Sequence, residues 1–189
     1  MTLILTLDSS GTPHRWSTWQ DAVVYQTKGL VSWSTGEVEF VFHGGTSRMT
    51  GETTTVTVPS IMAIKNKYYQ KQRPPVLSNK NLFRRDLFIC AYCGHTYTES
   101  KLTRDHIHPV SRGGPDTWTN CVTACWGCNN YKDNKLLSEI GMELLYVPYT
   151  PNRAENLILQ NRHILFDQME FLQSYIPEES RARHLLTKS

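Results

Sequence analysis

The chain has 189 residues and a mass of 21.8 kDa, which suits one domain or a small domain with an additional short unit. Its 39% hydrophobic and 20% charged residues argue against bulk disorder, and the formal net charge of +3 decides little by itself. The apolar runs are too short to span a bilayer, and residues 1–7 lack the basic start of a secretory signal, so we expect a cytoplasmic protein without a membrane partner.

The N-terminal segment, residues 1–60, is predicted to form a small α+β unit. Its expected elements are a strand, a helix and two strands, at residues 3–7, 16–28, 38–42 and 53–58. A segment with three glycines, residues 43–51, is predicted as a loop. We expect this unit to contribute to the recognition of a target.

A basic arm is predicted over residues 61–77, followed by a short helix over residues 78–86 that Ser78 caps. Between residues 65 and 85 the sequence contains seven Lys or Arg residues and no acidic residue. Such a stretch suits a polyanion, and the alternative is a solvated surface linker. The candidates for nucleic-acid binding in this stretch are Lys65, Lys67, Lys71, Arg73, Arg84 and Arg85.

The C-terminal segment, residues 149–189, is predicted to contain one helix and a tail. Apolar residues recur at helical spacing over residues 154–176. An apolar stripe of this kind packs in a core or a dimer interface far more often than it binds a ligand. The tail after Pro177 is expected to fray.

Four of the five cysteines form two Cys-x2-Cys pairs, Cys90 with Cys93 and Cys125 with Cys128. Each pair can present two thiolates to one ion, so the spacing predicts a tetrahedral zinc site in a reducing compartment. The odd cysteine count and the missing export signal argue against disulfides. A closed site of four thiolates is structural, because it leaves no open coordination position. Cys121 is left over and is predicted to be a small buried residue.

The segment between and after the cysteine pairs is predicted as strand, loop, strand and helix. The strands are expected at residues 102–107 and 120–124, the loop at residues 111–115 and the helix at residues 129–136. One zinc ion would hold this arrangement at its two ends. The fold class predicted for the whole chain is therefore α+β.

A set of spaced motifs in this segment resembles a known family. The motifs are Asp105-His106-x-x-Pro109, a central Asn120, and Cys125-x2-Cys128-Asn129-x2-Lys132, preceded by Cys90-x2-Cys93-Gly94. Over residues 78–148 they are similar to the HNH endonucleases, in particular to small bacterial and phage proteins. The resemblance implies a ββα-metal core, DNA as the substrate, and a bacterial or phage-infected cell as the setting.

The residue types in these motifs suit phosphodiester hydrolysis. An imidazole with a pKa near neutrality can take a proton from water, and His106 is the candidate, as the resemblance also implies. The resemblance places the ligands of a catalytic divalent ion at Asp105 and Asn129, and it implies that Asn120 holds the loop and orients His106. Many family members have His where this chain has Asn129. An oxygen ligand there favours Mg²⁺ or Mn²⁺.

Three further basic residues, Arg104, Arg112 and Lys132, are candidate phosphate contacts. Double-stranded DNA is the expected partner, and a homodimer would allow both strands to be cut. Two other hypotheses stay open: a non-catalytic zinc-ribbon module that binds nucleic acid, and an HNH nuclease that acts on RNA or modified DNA. Homing, restriction, packaging and repair roles are equally compatible with the sequence.

Overall fold

The structure is a computed structural model that describes residues 3–65, 74–161, 163–177 and 180–185. The chain divides into two compact units, one of Met1–Arg73 with Arg153–Pro177 and one of Pro74–Asn152 with Glu178–Ser189. The helices of the described residues fall short of a membrane span in length and hydropathy. Helices and small sheets occur together, which confirms the predicted α+β class.

The described elements follow a fixed order along the chain. The strands are β1 Ile4–Leu7, β2 Pro13–Ser17, β3 Val31–Thr46, β4 Thr53–Ile64, β5 Leu102–His106 and β6 Cys121–Cys125. The helices are α1 Trp19–Thr27, α2 Asn79–Arg85, α3 Trp126–Lys132, α4 Leu137–Ile140, α5 Arg153–Gln160 and α6 Phe166–Gln173. Short 3₁₀ turns precede β5 and follow it.

The first unit is built on a four-stranded sheet in the order β2-β1-β4-β3. Strand β1 pairs parallel with β4 and antiparallel with β2, and β3 and β4 form a long antiparallel hairpin. Ala22 of α1 packs with Ile4, Met62 and Ile64 in the core of this sheet. The sequence pattern missed β2, which begins at a proline and has only five residues.

The hairpin of β3 and β4 is longer than predicted at both ends. Residues 43–46, predicted as loop, continue β3 because His43 and Thr46 pair with β4. Residues 61–64, predicted as the start of the basic arm, belong to β4. They are buried because β4 is a central strand between β1 and β3. The basic residues of the arm therefore follow a core strand.

The C-terminal helix predicted over residues 154–176 is two helices, α5 and α6. Between them Asn161 accepts a hydrogen bond from the backbone N–H of His163 at 3.1 Å, a local turn that competes with helix. Helix α6 is held to the sheet by buried polar groups. Gln168 donates to the carbonyls of Leu3 and Ser60 at 2.8 and 2.9 Å, and Asp167 accepts from the N–H of Glu37 at 3.1 Å.

The second unit contains α2, the β5–β6 hairpin, α3 and α4. Helix α2 begins as predicted, with the Ser78 hydroxyl accepting from the N–H of Asn81 at 3.2 Å. Helix α3 begins three residues earlier than predicted, because the Cys125 sulfur caps it by accepting from the N–H of Cys128. A core of apolar residues holds α2 to the hairpin, namely Leu82, Phe83, Leu102, Trp118 and Cys121.

Candidate functional site

The four paired cysteines come together in the second unit. The sulfurs of Cys90, Cys93, Cys125 and Cys128 all lie within 4.8 Å of one another. Burial raises the pKa of Cys90. Burial also opposes ionisation of Cys93, but hydrogen bonds from His95 and neighbouring groups outweigh it and lower that pKa to about 6. Four cysteine sulfurs at this spacing could hold a metal ion, and a donor set of four thiolates suits zinc.

The cysteine pairs sit where the chain must turn. The first pair lies in a loop closed by the bridge between Ile89 and Thr96. Gly94 follows it with a φ of 75°, which a side chain would oppose. The second pair joins the end of β6 to the first turn of α3. A metal ion at this cluster would therefore connect the segment after α2 to the β5–β6–α3 unit.

A groove of about 220 Å³ opens beside the end of β5 and the C-terminal turn of α3. Its wall contains three of the four predicted catalytic residues, Asp105, His106 and Asn129. Asn120 is not part of the wall. The groove is several times the volume of one liquid water molecule, about 30 Å³. It is therefore large enough for a hydrated cation.

Asp105 lies on the buried side of β5, with 5% of its surface exposed. Lys132 of α3 donates to its Oδ1 at 3.2 Å, and the Tyr92 hydroxyl donates to its Oδ2. The Lys132 ammonium also donates to the carbonyl of His106 at 2.7 Å. Burial and the Asp105 charge raise the pKa of Tyr92, so the phenol stays a donor. These partners fix the carboxylate in one orientation.

His106 lies on the opposite side of the strand, as the alternation of side chains along a strand requires. Its Nε2 is 2.9 Å from Oδ1 of Asp116, and Nη1 of Arg104 lies 2.9 Å from each oxygen of the same carboxylate. The hydrogen bonds from Arg104, His106 and Cys121 lower the pKa of Asp116 to about 2. Asp116 is therefore an anion near neutral pH.

Asn120 holds the loop between the two strands. Its amide oxygen accepts from the N–H of His108 at 2.9 Å, and its amide nitrogen donates to the carbonyls of His108 and Pro115 at 3.0 and 2.8 Å. Gly114 is required here, since an added Cβ would lie 1.8 Å from the His108 carbonyl oxygen. These hydrogen bonds join the two ends of the loop, and those that the structure describes for the Asn120 side chain go to His108 and Pro115 rather than to His106. The role of Asn120 in orienting His106 stays a prediction.

Asn129 faces the groove from α3. Its amide nitrogen donates to the Thr103 hydroxyl at 2.8 Å, which fixes the orientation of the amide group. The amide oxygen remains available as an acceptor for a cation. Together with the Asp105 carboxylate it gives a set of hard oxygen donors, the ligands that Mg²⁺ and Mn²⁺ prefer.

Two predicted nucleic-acid contacts need correction. Arg85 is buried, pairs with Asp86 at 2.8 Å and donates to the carbonyls of Trp118 and Cys121 at 2.6 and 2.8 Å, so it is a core residue of the second unit. Lys132 is fully buried against Asp105. The prediction for Arg85 rests on its charge and chain position, and that for Lys132 on its place in the family motif, and neither reveals burial.

The remaining predicted contacts stay predictions. Arg104 is paired with Asp116, Arg112 forms an ion pair with Glu139 at 2.7 Å, and Arg84 is half-buried. Lys65 is exposed, although its ammonium donates to the Gly29 carbonyl at 2.8 Å. Three members of the basic arm lie outside the described residues, namely Lys67, Lys71 and Arg73.

Tyr92 and Asp116 were missed by the sequence analysis. Tyr92 lies between the two cysteines of the first pair, and Asp116 directly follows the loop predicted at residues 111–115, and the sequence patterns give neither residue a role. One signal existed for Asp116: Arg104 and His106 share one face of β5, and two basic side chains on one face favour an acidic partner. No spacing rule identified which acidic residue this would be.

His106, Asp116 and Cys121 form a second group within 4.8 Å that could hold a metal ion. Two observations argue against this use. Arg104 already neutralises the carboxylate through both of its oxygens. The Cys121 thiol, whose pKa is raised to about 12 by burial and by the contact with Asp116, already donates to Oδ1 of Asp116 at 3.3 Å. We interpret this group as a hydrogen-bonded cluster.

Comparison with known proteins identifies the segment that carries this site. Residues 90–145 match the model of the HNH endonuclease family. The match confirms the family resemblance over most of the segment in which the motifs lie. A search of curated proteins gave no significant match.

Proposed function

We propose that this protein is a metal-dependent endonuclease that hydrolyses phosphodiester bonds of DNA. In this proposal β5, β6 and α3 form a ββα-metal core, His106 is the general base, and Asp105 and Asn129 hold the catalytic divalent ion. The observation that carries the proposal is that these three residues line one groove. The HNH family match supports nucleic acid as the class of substrate.

The two candidate metal centres differ in their donors and therefore in their expected roles. Four thiolates suit Zn²⁺ and leave no open position, so zinc would stabilise the fold. Carboxylate and amide oxygens suit Mg²⁺ or Mn²⁺. When bound at the groove, such an ion would neutralise charge on the phosphate and stabilise the leaving oxygen.

The side chains of the groove suit hydrolysis by water. In the proposed reaction a water oxygen attacks phosphorus and a water proton passes to the neutral imidazole of His106. The bond from phosphorus to the 3′ oxygen breaks, and that oxygen takes a proton from solvent. The products are a 3′ hydroxyl and a 5′ phosphate. One such site cuts one strand, so a double-strand break would require two copies or two successive events.

A nicking assay on supercoiled plasmid tests the proposal. Wild type is expected to convert plasmid to the open circle with Mg²⁺ or Mn²⁺ and to lose this activity with EDTA. His106→Ala is expected to lower the rate by about 10² to 10⁴, the usual contribution of a general base. His163→Ala is the matched control, because His163 is an exposed histidine of the other unit.

The same assay separates the competing hypotheses. If the purified, zinc-loaded protein cleaves neither DNA, methylated DNA nor RNA, the result would favour the hypothesis of a non-catalytic zinc module. If the protein cleaves only RNA, or only methylated DNA, the assignment of the substrate would change, but the assignment of the reaction as phosphodiester hydrolysis would stand. Full activity of His106→Ala would overturn the assignment of the base.

A further inference from the structure

Asp116 lies beside the proposed base but has no part in the reaction proposed above. Its carboxylate contacts the proposed base, yet it does not line the groove that Asp105, His106 and Asn129 share. Nε2 of His106 is engaged by Asp116. Among the described residues Nδ1 has no hydrogen-bond partner, so it is the ring nitrogen left for a proton transfer. This arrangement gives the two nitrogens of one imidazole separate functions.

The direction of the hydrogen bond follows from charge. An ionised carboxylate can only accept hydrogen bonds, and the pKa of Asp116 is lowered to about 2 by Arg104, His106 and Cys121. Nε2 of His106 must therefore carry the hydrogen in its 2.9 Å contact with Asp116. In a neutral imidazole the lone pair then resides on Nδ1.

The carboxylate is itself held in place. Nη1 of Arg104 lies 2.9 Å from both of its oxygens, and the Cys121 thiol donates to Oδ1 at 3.3 Å. Arg104 is fixed in turn, because its Nε donates to the side-chain oxygen of Asn79 at 3.0 Å. A chain of contacts thus runs from the start of α2 through β5 to the imidazole ring.

Resting on the proposed endonuclease function, we infer that Asp116 is the positioning residue of His106. Its carboxylate accepts the Nε2 hydrogen, fixes the ring orientation and leaves Nδ1 as the atom that takes the proton from the attacking water. A carboxylate that orients a histidine base in this manner is a general device in hydrolytic enzymes. Arg104 supports it by holding the carboxylate.

If the contact between Asp116 and His106 only stabilised the fold, a different result would be expected. An ion pair whose carboxylate is 56% exposed contributes little to stability. Loss of Asp116 should then leave both folding and rate unchanged. If Asp116 positions the base, its loss should lower kcat while KM and the melting temperature stay close to wild type, because substrate contacts are untouched.

Kinetics on plasmid with Mg²⁺ provide the first test. Asp116→Ala is expected to lower kcat by about 10²-fold with KM little changed, within the range for acid–base groups. Asp116→Asn should recover part of the loss, because its amide oxygen can accept the same hydrogen bond without the charge. The control is Glu99→Gln, which removes an exposed charge from the same unit. Unchanged kcat in Asp116→Ala, or a rise in KM alone, would overturn the inference.

Proton NMR on the full chain provides a test that does not depend on activity. A hydrogen-bonded imidazole N–H of His106 should be visible as a slowly exchanging low-field resonance, coupled to Nε2 in a protein labelled with ¹⁵N-histidine. The resonance should vanish in His106→Gln and Asp116→Ala and persist in Glu99→Gln. Its persistence in Asp116→Ala, or its coupling to Nδ1, would contradict the inference. An inactive wild type with this resonance would instead reject the nuclease proposal alone.

Discussion

The two sides of β5 offer their polar groups very different surroundings. On one side Asp105 is buried and receives hydrogen bonds from Lys132 and from Tyr92 of the first cysteine pair. On the other side His106 contacts Asp116, whose side chain is 56% exposed in a loop. Consecutive residues of one strand thus supply a rigidly held carboxylate and a partly solvated imidazole.

Because of this difference, substitutions on the two sides of β5 should have different effects on the free energy of unfolding and on the cleavage rate. Removing one partner of a buried ion pair leaves a charge in a medium of low dielectric, and the protein loses stability. An exposed pair is screened by water, so its loss has a small effect on stability. Substitutions on the Asp105 side should therefore lower both stability and activity, whereas substitutions on the His106 side should lower activity with only a small loss of stability.

The largest effect is expected at the cysteine cluster, because Tyr92 lies between Cys90 and Cys93 and reaches the buried side of β5 from there. Cys93→Ser, or removal of metal by a strong chelator, should unfold the second unit, since zinc contributes about 10–16 kcal/mol in small zinc modules. Zinc content and near-UV circular dichroism measure the loss.

Cys121→Ser is the matched control for this substitution. Cys121 is also a buried cysteine of the second unit, but it lies outside the four-thiol cluster, and a serine hydroxyl can replace its donation to Asp116. The variant should keep its zinc. Equal loss of zinc in both variants, or a Cys93→Ser protein that melts like wild type, would contradict the assignment of the cluster.

Lys132→Met is expected to have the next largest effect. The substitution keeps much of the apolar stem but leaves Asp105 and the carbonyl of His106 without their buried donor. The free energy of unfolding should fall by about 3–5 kcal/mol, as for other buried pairs that lose one member. Urea unfolding measures it, with exposed Lys135→Met as the control near the same helix end.

A double variant tests whether the loss of stability in Lys132→Met comes from the unpaired Asp105 carboxylate. If the cost of Lys132→Met comes from the unpaired Asp105 charge, adding Asp105→Asn should recover part of the lost stability while abolishing the proposed metal site. The double-mutant cycle would then give a coupling energy clearly different from zero. Strict additivity would show that Lys132 acts through packing rather than through the carboxylate.

Tyr92→Phe should have a smaller effect on the same side of the strand. It removes one donor from Asp105 and leaves the Lys132 contact in place. A buried acceptor that loses its partner costs about 1–3 kcal/mol, and metal-dependent cleavage should fall with it. Urea unfolding and the Mg²⁺ dependence of nicking test both. The exposed Tyr131→Phe is the control, and an equal effect there would argue against the Asp105 contact.

The sequence predicts the parts of this site that depend on local spacing. The four cysteines, the Ser78 cap and the strand–strand–helix order follow from patterns of a few residues, and the structure agrees with them. It could not reveal the burial of Arg85 or Lys132, which depends on what packs against each helix. The contacts of Asp116 and Tyr92 depend on tertiary approach between separate elements, and no local pattern encodes that approach.

The smallest effect is expected from acid titration of Asp116 on the exposed side. Its pKa is lowered from 3.8 to about 2 by Arg104, His106 and Cys121. A carboxyl whose pKa is lowered by folding contributes stability above its unfolded pKa and loses it as the pH falls toward the folded pKa. The Tm difference between wild type and Asp116→Asn should therefore shrink from about pH 5, where ordinary imidazoles are already protonated, toward about pH 2. A difference that stays constant or grows on acidification would mean that this carboxylate is not held by its basic neighbours.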